Sequence, residues 1–216
     1  MAATIDELTL ADDPARWSAL GFALGAEGGQ LGAVRVGFCD PAGGHGLVRW
    51  SLRDLLGEEL DGLATERSHS AVPPAAPAHP NGVVAIDHIV AVSPAFERSV
   101  AALQAAGLDL RRVRDEPTPA GAPRQAFFRL GPEILELVEE PEHVTARAGG
   151  PDRPAHFWGL ALLVEDLERT AAAFGEHVGS IRPAVQPGRM IATVKRSAGL
   201  SVPLALMSAT REAVRR

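Results

Sequence analysis

The sequence predicts an α+β protein built from repeated β-α-β-β-β modules. Three observations support this fold class: one strand–helix plan occurs three times, glycine follows each predicted helix, and short apolar strands follow each glycine. The repeats are "TIDELTLADDPARWSALGFAL" (4–24), "AIDHIVAVSPAFERSVAALQAAGLDL" (85–110) and "FWGLALLVEDLERTAAAFGEHVG" (157–179).

Each repeat opens with an apolar strand and then a helix-start signal. Asp13 before Pro14 is the predicted cap in the first repeat, Ser93 before Pro94 in the second, and Asp166 in the third. Glycine can take the left-handed conformation that ends a helix. The predicted stops are Gly21, Gly107 and Gly175.

Three strand-like segments follow each predicted helix. They are "ALGAEGG", "GAVRVGFC" and "GLVRWSLRD" in the first module, "LDLRRVRDE", "RQAFFRLG" and "EILELVEE" in the second, and "SIRPAVQ", "RMIATVKR" and "SVPLALMS" in the third. Two such modules side by side can curl eight strands into an open bowl whose concave face suits a small molecule.

We therefore predict four segments along the chain. Residues 1–67 form a degenerate N-terminal module, and the Pro/Ala-rich residues 68–82 form an extended, poorly packed linker. Residues 83–148 and 149–210 form two modules that pair into the eight-stranded bowl. An odd number of modules leaves one sheet face uncovered, which predicts a homodimer.

Composition excludes several classes of partner. The net charge of −6 argues against a nucleic-acid binder, which normally carries a basic patch. No apolar run approaches 18 residues and the N-terminus lacks a signal-peptide pattern, so we expect a cytoplasmic protein without a membrane partner. Cys39 is the single cysteine, so there is no disulfide framework and no thiolate metal cluster.

Two polar residues stand out inside apolar strands: His88 in "AIDHIV" and Glu136 in "ILELVE". Both should be at least partly buried and must therefore find partners. They are either hydrogen-bonded core residues or two halves of a site.

The motifs "IDHIV", "FFRLG" and "ILELVE" resemble the vicinal oxygen chelate superfamily, which includes glyoxalase I, methylmalonyl-CoA epimerase, extradiol dioxygenases and bleomycin-resistance proteins. The resemblance covers residues 83–208 and is weaker over 1–65. It implies a metal held by a first-strand His and a last-strand Glu from each of two modules. His88 and Glu136 match this pattern, but Gly159 and Ala205 occupy the equivalent positions of the third module, so half of the ligand set is missing.

Three interpretations of His88 and Glu136 follow. They form an incomplete metal site for one divalent ion (Fe, Mn, Ni or Zn), a metal-free catalytic acid–base pair, or a relic in a ligand-binding bowl. Because only two of the expected metal ligands are present, we expect a site without a resident metal rather than a site with one. The corresponding functions are a lyase, isomerase or dioxygenase acting on a small organic molecule, or a metal-free drug- or metabolite-sequestration protein of bleomycin-resistance type. A sensor or interaction domain is a third possibility.

Four further residues are candidates for substrate binding. Gln186 and Arg189 flank the Pro-Gly turn of "AVQPGRM", where Arg189 would bind a carboxylate or phosphate; an ordinary exposed turn is the alternative. Phe128 and Trp158 are candidates to line an apolar pocket, with a core position as the alternative.

Overall fold

The computed structural model describes residues 3–40, 42, 44–118 and 121–209. It confirms the α+β class. The elements of the first third of the chain are β1 (Thr4–Ala11), α1 (Pro14–Ala19), β2 (Gly29–Leu31), β3 (Val34–Cys39), β4 (Gly46–Arg53) and β5 (Thr65–Arg67). Next come β6 (Val83–Ser93), α2 (Phe96–Ala105), β7 (Asp109–Arg114), β8 (Gln125–Leu130), β9 (Glu133–Glu139) and α3 (Glu142–Arg147). The last are β10 (His156–Val164), α4 (Leu167–Phe174), β11 (Arg182–Pro183), β12 (Met190–Thr193) and β13 (Leu204–Ser208).

These strands form a five-stranded sheet of order β2-β3-β1-β4-β5 and an eight-stranded sheet of order β11-β12-β13-β10-β6-β9-β8-β7. In the second and third modules the first strand pairs in parallel with the last, β6 with β9 and β10 with β13. The other pairs within each of these modules are antiparallel. The sheet of eight strands predicted for these two modules is confirmed.

The first module departs from the predicted plan. Its first strand, β1, pairs in parallel with β3, while β4 lies on the other side of β1 and continues to the short strand β5. The segment "ALGAEGG" forms an isolated bridge between Gly25 and Gly28, because Gly28 takes a φ of +90° and turns the chain directly into β2.

The helix caps follow the sequence signals in two modules and differ in one. Asp13 accepts a hydrogen bond from the Ala15 N–H, and Asp166 accepts one from the Arg169 N–H. The predicted start at Ser93 is wrong by two residues, because Ser93 still belongs to β6 and its Oγ accepts from the Ala95 N–H before α2 begins.

Two residues at the C-terminal end of the predicted linker are packed, whereas most of residues 68–78 are exposed. His79 and Asn81 are 5% and 4% exposed. His79 Nδ1 accepts from the Ala23 N–H at 2.9 Å, and Nε2 lies 3.0 Å from the Gln30 carbonyl oxygen. Because Nδ1 accepts from an N–H, the ring proton lies on Nε2. Burial lowers the pKa of His79, and the Gln30 carbonyl opposes part of this shift.

The chain divides into two compact units. The first contains residues up to Asp6, Arg49–Ala71 and His88–Trp158, and the second contains Glu7–Val48, Val72–Asp87 and residues from Gly159 onward. Strands β1, β4, β6 and β10 each contribute residues to both units. The module boundaries expected from the sequence stay a prediction. Within the described ranges, no helix is long and apolar enough to cross a membrane.

Candidate functional site

Strand register assigns the side chains of the second module to two faces. Val90 of β6 and Phe127 of β8 both lie opposite Glu136 of β9, so these three side chains point the same way. His88, two residues before Val90, shares that direction. We call this the His88 face; its members are His88, Val90, Val92, Gln125, Phe127, Ile134, Glu136 and Val138.

The opposite face is the closed side of the module. Ile89, Leu135 and Phe128 are fully buried there. Helix α2 packs against β9, and its own apolar side is buried. Side chains of the His88 face other than Gln125 keep some exposure to solvent. A molecule that binds this module therefore has access to the His88 face and not to the helix side.

The structure brings His88 and Glu136 together. His88 Nε2 lies 3.4 Å from Glu136 Oε2, and the two side chains are 13% and 16% exposed. Their neighbours on the same face include Val90 and Ile134, so the pair is set in a largely apolar surface. This arrangement permits proton exchange between a carboxyl group and an imidazole that a ligand can still reach.

A third residue, Gln125, contacts Glu136 and was not among the residues predicted from the sequence. It is 6% exposed, and its Nε2 donates a hydrogen bond to Glu136 Oε1. Its own Oε1 is buried and has no hydrogen-bond partner among the residues that the structure describes. The available signal was a polar residue two positions before Phe127 in the otherwise apolar segment "QAFF".

The third module repeats the strand register of the second but has no His or Glu at the equivalent positions. Ala161 pairs with Ala205 as Val90 pairs with Glu136, and Gly159 precedes Ala161 as His88 precedes Val90. A Cβ atom on Gly159 would lie 2.6 Å from the Pro203 carbonyl oxygen, a distance that side chains do not adopt. The backbone there leaves no room for a ligating side chain.

These residues do not fit the metal that the fold family implies. The second module supplies one imidazole and one carboxylate, and the equivalent positions of the third supply neither. Across the described ranges no group of three or more His, Cys, Asp or Glu residues could hold a metal ion. Structural zinc sites use four protein ligands and non-haem iron sites use three, so this donor set falls short of both.

The structure places Phe128 and Trp158, both expected to line a pocket, in different surroundings. Phe128 is fully buried on the helix side, because the register places Phe127, not Phe128, opposite Glu136. Trp158 is 55% exposed on β10. The structure does not place Phe128 on the accessible face, and a substrate-binding role for Trp158 stays a prediction.

Arg189 lies in the second compact unit, where it is 8% exposed. Its guanidinium donates to Asp87 Oδ1 at 2.5 Å, to Gln186 Oε1 at 2.6 Å and to the Ser208 carbonyl at 2.8 Å. It borders a cavity of about 890 Å³ that Met190 also lines. Because Asp87 balances its charge, Arg189 is neither an exposed turn residue nor an uncompensated anion receptor. Ligand binding by Gln186 and Arg189 stays a prediction.

Glu133 begins the strand that carries Glu136, but its side chain lies on the helix side with Leu135. It is 4% exposed, and burial raises its pKa to about 7, with the Arg53 guanidinium opposing part of the rise. Glu133 is therefore a buried acid of the module core, separate from the His88 face.

The fold and the paired residues define a class of protein. A profile of the glyoxalase/bleomycin resistance protein/dioxygenase superfamily matches residues 85–197, slightly more than half of the chain. The chain belongs to this superfamily. No curated protein matches it by sequence.

Solved structures resemble this chain at low sequence identity, and one with a TM-score above 0.5 shows the same fold. A xylose isomerase-like TIM barrel/4-hydroxyphenylpyruvate dioxygenase fusion protein matches at 13% identity over 95% of this chain, with a TM-score of 0.59. This chain spans 48% of the fusion protein. Methylmalonyl-CoA epimerase from Mycobacterium tuberculosis matches at 14% identity over 68% of this chain and 98% of its own, with a TM-score of 0.49. A variant of the Streptomyces coelicolor methylmalonyl-CoA epimerase, in complex with 2-nitronate-propionyl-CoA, matches at 18% identity over 60% of this chain and 96% of its own, with a TM-score of 0.48.

Proposed function

We propose that this protein binds a small organic molecule on the His88 face and moves a proton on it without a resident metal, as an isomerase does. One observation carries the proposal: a carboxylate and an imidazole 3.4 Å apart, partly exposed, on a largely apolar sheet face. An acid–base pair in such surroundings is suited to general acid–base catalysis.

The chemistry of the face defines the ligand. The polar group of the ligand lies at His88 and Glu136, and its apolar part lies along Val90, Ile134 and Phe127. In the reaction, Glu136 takes a proton from a carbon beside a carbonyl group, and the electron pair moves to the carbonyl oxygen. His88 relays the proton, which returns to a different atom of the same molecule. No redox partner is needed, and atoms balance within the substrate.

A dioxygenase reaction is not part of the proposal. The family's metal-dependent reactions use donors from two modules, whereas Gly159 and Ala205 supply none. The proposal therefore predicts that protein purified without chelator carries no stoichiometric Fe, Mn, Ni or Zn. It also predicts that adding these ions leaves the melting temperature unchanged. A stoichiometric metal in elemental analysis would overturn the metal-free mechanism.

Proton exchange in deuterated water tests the catalytic step. A panel of 2-oxo acids, 2-hydroxy ketones and acyl thioesters is incubated with the protein, and deuterium uptake beside the carbonyl is followed by NMR. For a substrate that exchanges, Glu136→Gln and His88→Ala are expected to slow exchange about 100-fold or more. His69→Ala changes an exposed histidine and serves as the matched control. Exchange that survives in Glu136→Gln would contradict the assigned roles.

One observation favours binding without catalysis as the second candidate function. Both carboxylate oxygens of Glu136 already have partners within the module, Gln125 on one and His88 on the other. A pair satisfied in this way can serve a sequestration protein of the bleomycin-resistance type. That function predicts ligands that raise the melting temperature and depend on His88, but exchange no protons.

Homodimerisation and a cytoplasmic location also remain proposals. Light scattering after size exclusion tests the dimer, which would have twice the 22.7 kDa mass of one chain. A mass of 22.7 kDa at micromolar concentration would contradict it.

A further inference from the structure

A β-bulge in the edge strand β7 turns Arg112 toward the side of the sheet that carries the His88 face. Leu110 lies opposite Phe128 of β8, but Arg112 lies opposite Phe127, so β7 carries one extra residue, Arg111, between the two pairs. In a regular ladder Arg112 would lie opposite the next residue of β8, which is fully buried. The bulge therefore moves the side chain of Arg112 from the closed side of the module to the accessible side.

Arg112 is one end of a row of side chains that crosses three strands. It lies opposite Phe127, and Phe127 lies opposite Glu136, so all three project from the same side of the sheet. Opposite residues of antiparallel strands are about 5 Å apart at Cα, which places the Cα atoms of Arg112 and Glu136 roughly 10 Å apart. A ligand with a short carbon chain can therefore contact Glu136 at one end and the long side chain of Arg112 at the other.

The charge of Arg112 is not balanced by a neighbour, in contrast to the other arginines of β7. Arg111 lies 3.1 Å from a carboxylate oxygen of Asp109, and Arg114 lies 3.3 Å from one of Glu116. Arg112 is exposed and forms no ion pair within the part of the chain that the structure describes. Its guanidinium can therefore donate to a ligand without breaking an existing ion pair.

We propose that Arg112 binds a carboxylate of the ligand, so that the site selects small organic acids whose carbonyl group lies at His88 and Glu136. The planar guanidinium matches a carboxylate with two parallel hydrogen bonds, and one unbalanced cation matches a single negative charge. Phe127 lies beside the carbon chain between the two polar ends. This proposal rests on the proposed function, because it concerns the ligand of the same face.

Two probes that differ in charge test the role of Arg112. The probe 6-oxoheptanoate has a ketone at one end and a carboxylate at the other, and its methyl ester has the same carbon chain without the charge. Dissociation constants at neutral pH are measured from the NMR shifts of the His88 ring. The wild-type protein should bind the acid about fivefold more tightly than the ester, as expected for an ion pair near solvent.

Three variants separate a directed contact from a general effect of charge. Arg112→Gln should bind the two probes with equal affinity, whereas Arg112→Lys keeps the positive charge and should retain part of the preference for the acid. Arg147→Gln removes the same charge at an exposed position of α3 and should behave as the wild type does. Added salt should reduce the preference of the wild type, because it screens an exposed ion pair.

Each outcome decides a different point. Equal affinity of the wild type for the acid and the ester, or a preference that survives in Arg112→Gln, overturns the role of Arg112 and leaves binding on the His88 face intact. Arg112 would then serve only as a charged residue that keeps other strands from pairing with the sheet edge. If neither probe shifts the His88 signals, binding on this face fails, and the role of Arg112 fails with it.

Discussion

Replacing Glu133 by glutamine should stabilise the protein at alkaline pH and change its stability little in acid. The folded state holds this carboxyl at a pKa of about 7 because it is buried, whereas the ordinary value is 4.5. At about 1.4 kcal/mol for each pKa unit, ionising Glu133 in the folded state costs roughly 3 kcal/mol. Glutamine keeps the shape of the protonated acid and avoids that cost.

The sign follows from proton binding. Between about pH 4.5 and about pH 7 the folded state binds more protons at Glu133 than the unfolded state does. The free energy of unfolding therefore falls as the pH rises through this window, and it levels off above about pH 7. Glu133→Gln removes this decline, so its advantage over the wild type should grow by roughly 2.5 kcal/mol between about pH 5 and about pH 8.5.

Urea unfolding of both proteins at the two pH values measures this change. The contributions of the other titrating groups to the pH dependence cancel, because both proteins contain them. Glu59→Gln, at an exposed position, alters the same charge without burial and is the control. An advantage of Glu133→Gln that is equal at the two pH values would refute the argument from burial.

Three further predictions test the packing. Burial lowers the folded-state pKa of His79, so the unfolded chain binds a proton at this residue first as the pH falls from about 7 to about 5. The melting temperature of the wild type should therefore fall relative to that of His79→Gln over this range. A difference in melting temperature that does not change with pH would contradict this. Gly159→Ala should cost about 1–3 kcal/mol in urea unfolding and Gly179→Ala much less, because an added Cβ meets a carbonyl oxygen at 2.6 Å in the first and at 3.5 Å in the second. Phe128→Ala should cost about 3–5 kcal/mol of stability in urea unfolding, because Phe128 is fully buried. Phe127→Ala should cost much less, because Phe127 lies on the other face and keeps some exposure; equal costs would refute the face assignment.

The repeated modules could be predicted from the sequence because their signals are local. Asp13 and Asp166 cap the helices that follow them, and short-range alternation marks the strands. The strand order of the first module could not be predicted in this way, because β1 pairs with β3 and β4 through long-range contacts that leave no local pattern.

Part of the candidate site could be predicted from the sequence because its signals are also local. His88 and Glu136 each stand out as a polar residue in an apolar run. Phe127 and Phe128 look alike in the sequence, but a strand alternates faces with every residue, so a choice between them depends on the register with β9. The role of Gln125 could not be predicted for the same reason, because its contact with Glu136 joins two different strands and depends on their register.

The packed end of the linker sets limits on how the N-terminal part of the chain can be cut. A fragment ending at residue 67 would lose His79, which accepts a hydrogen bond from the Ala23 N–H. It would also lose Asn81, which donates a hydrogen bond to the Leu20 carbonyl. Those backbone groups would be left to water, and Phe22 would lose its ring neighbour His79. A protease that cuts near residue 75 should therefore leave the two products associated, and a recombinant N-terminal fragment should extend at least through Asn81.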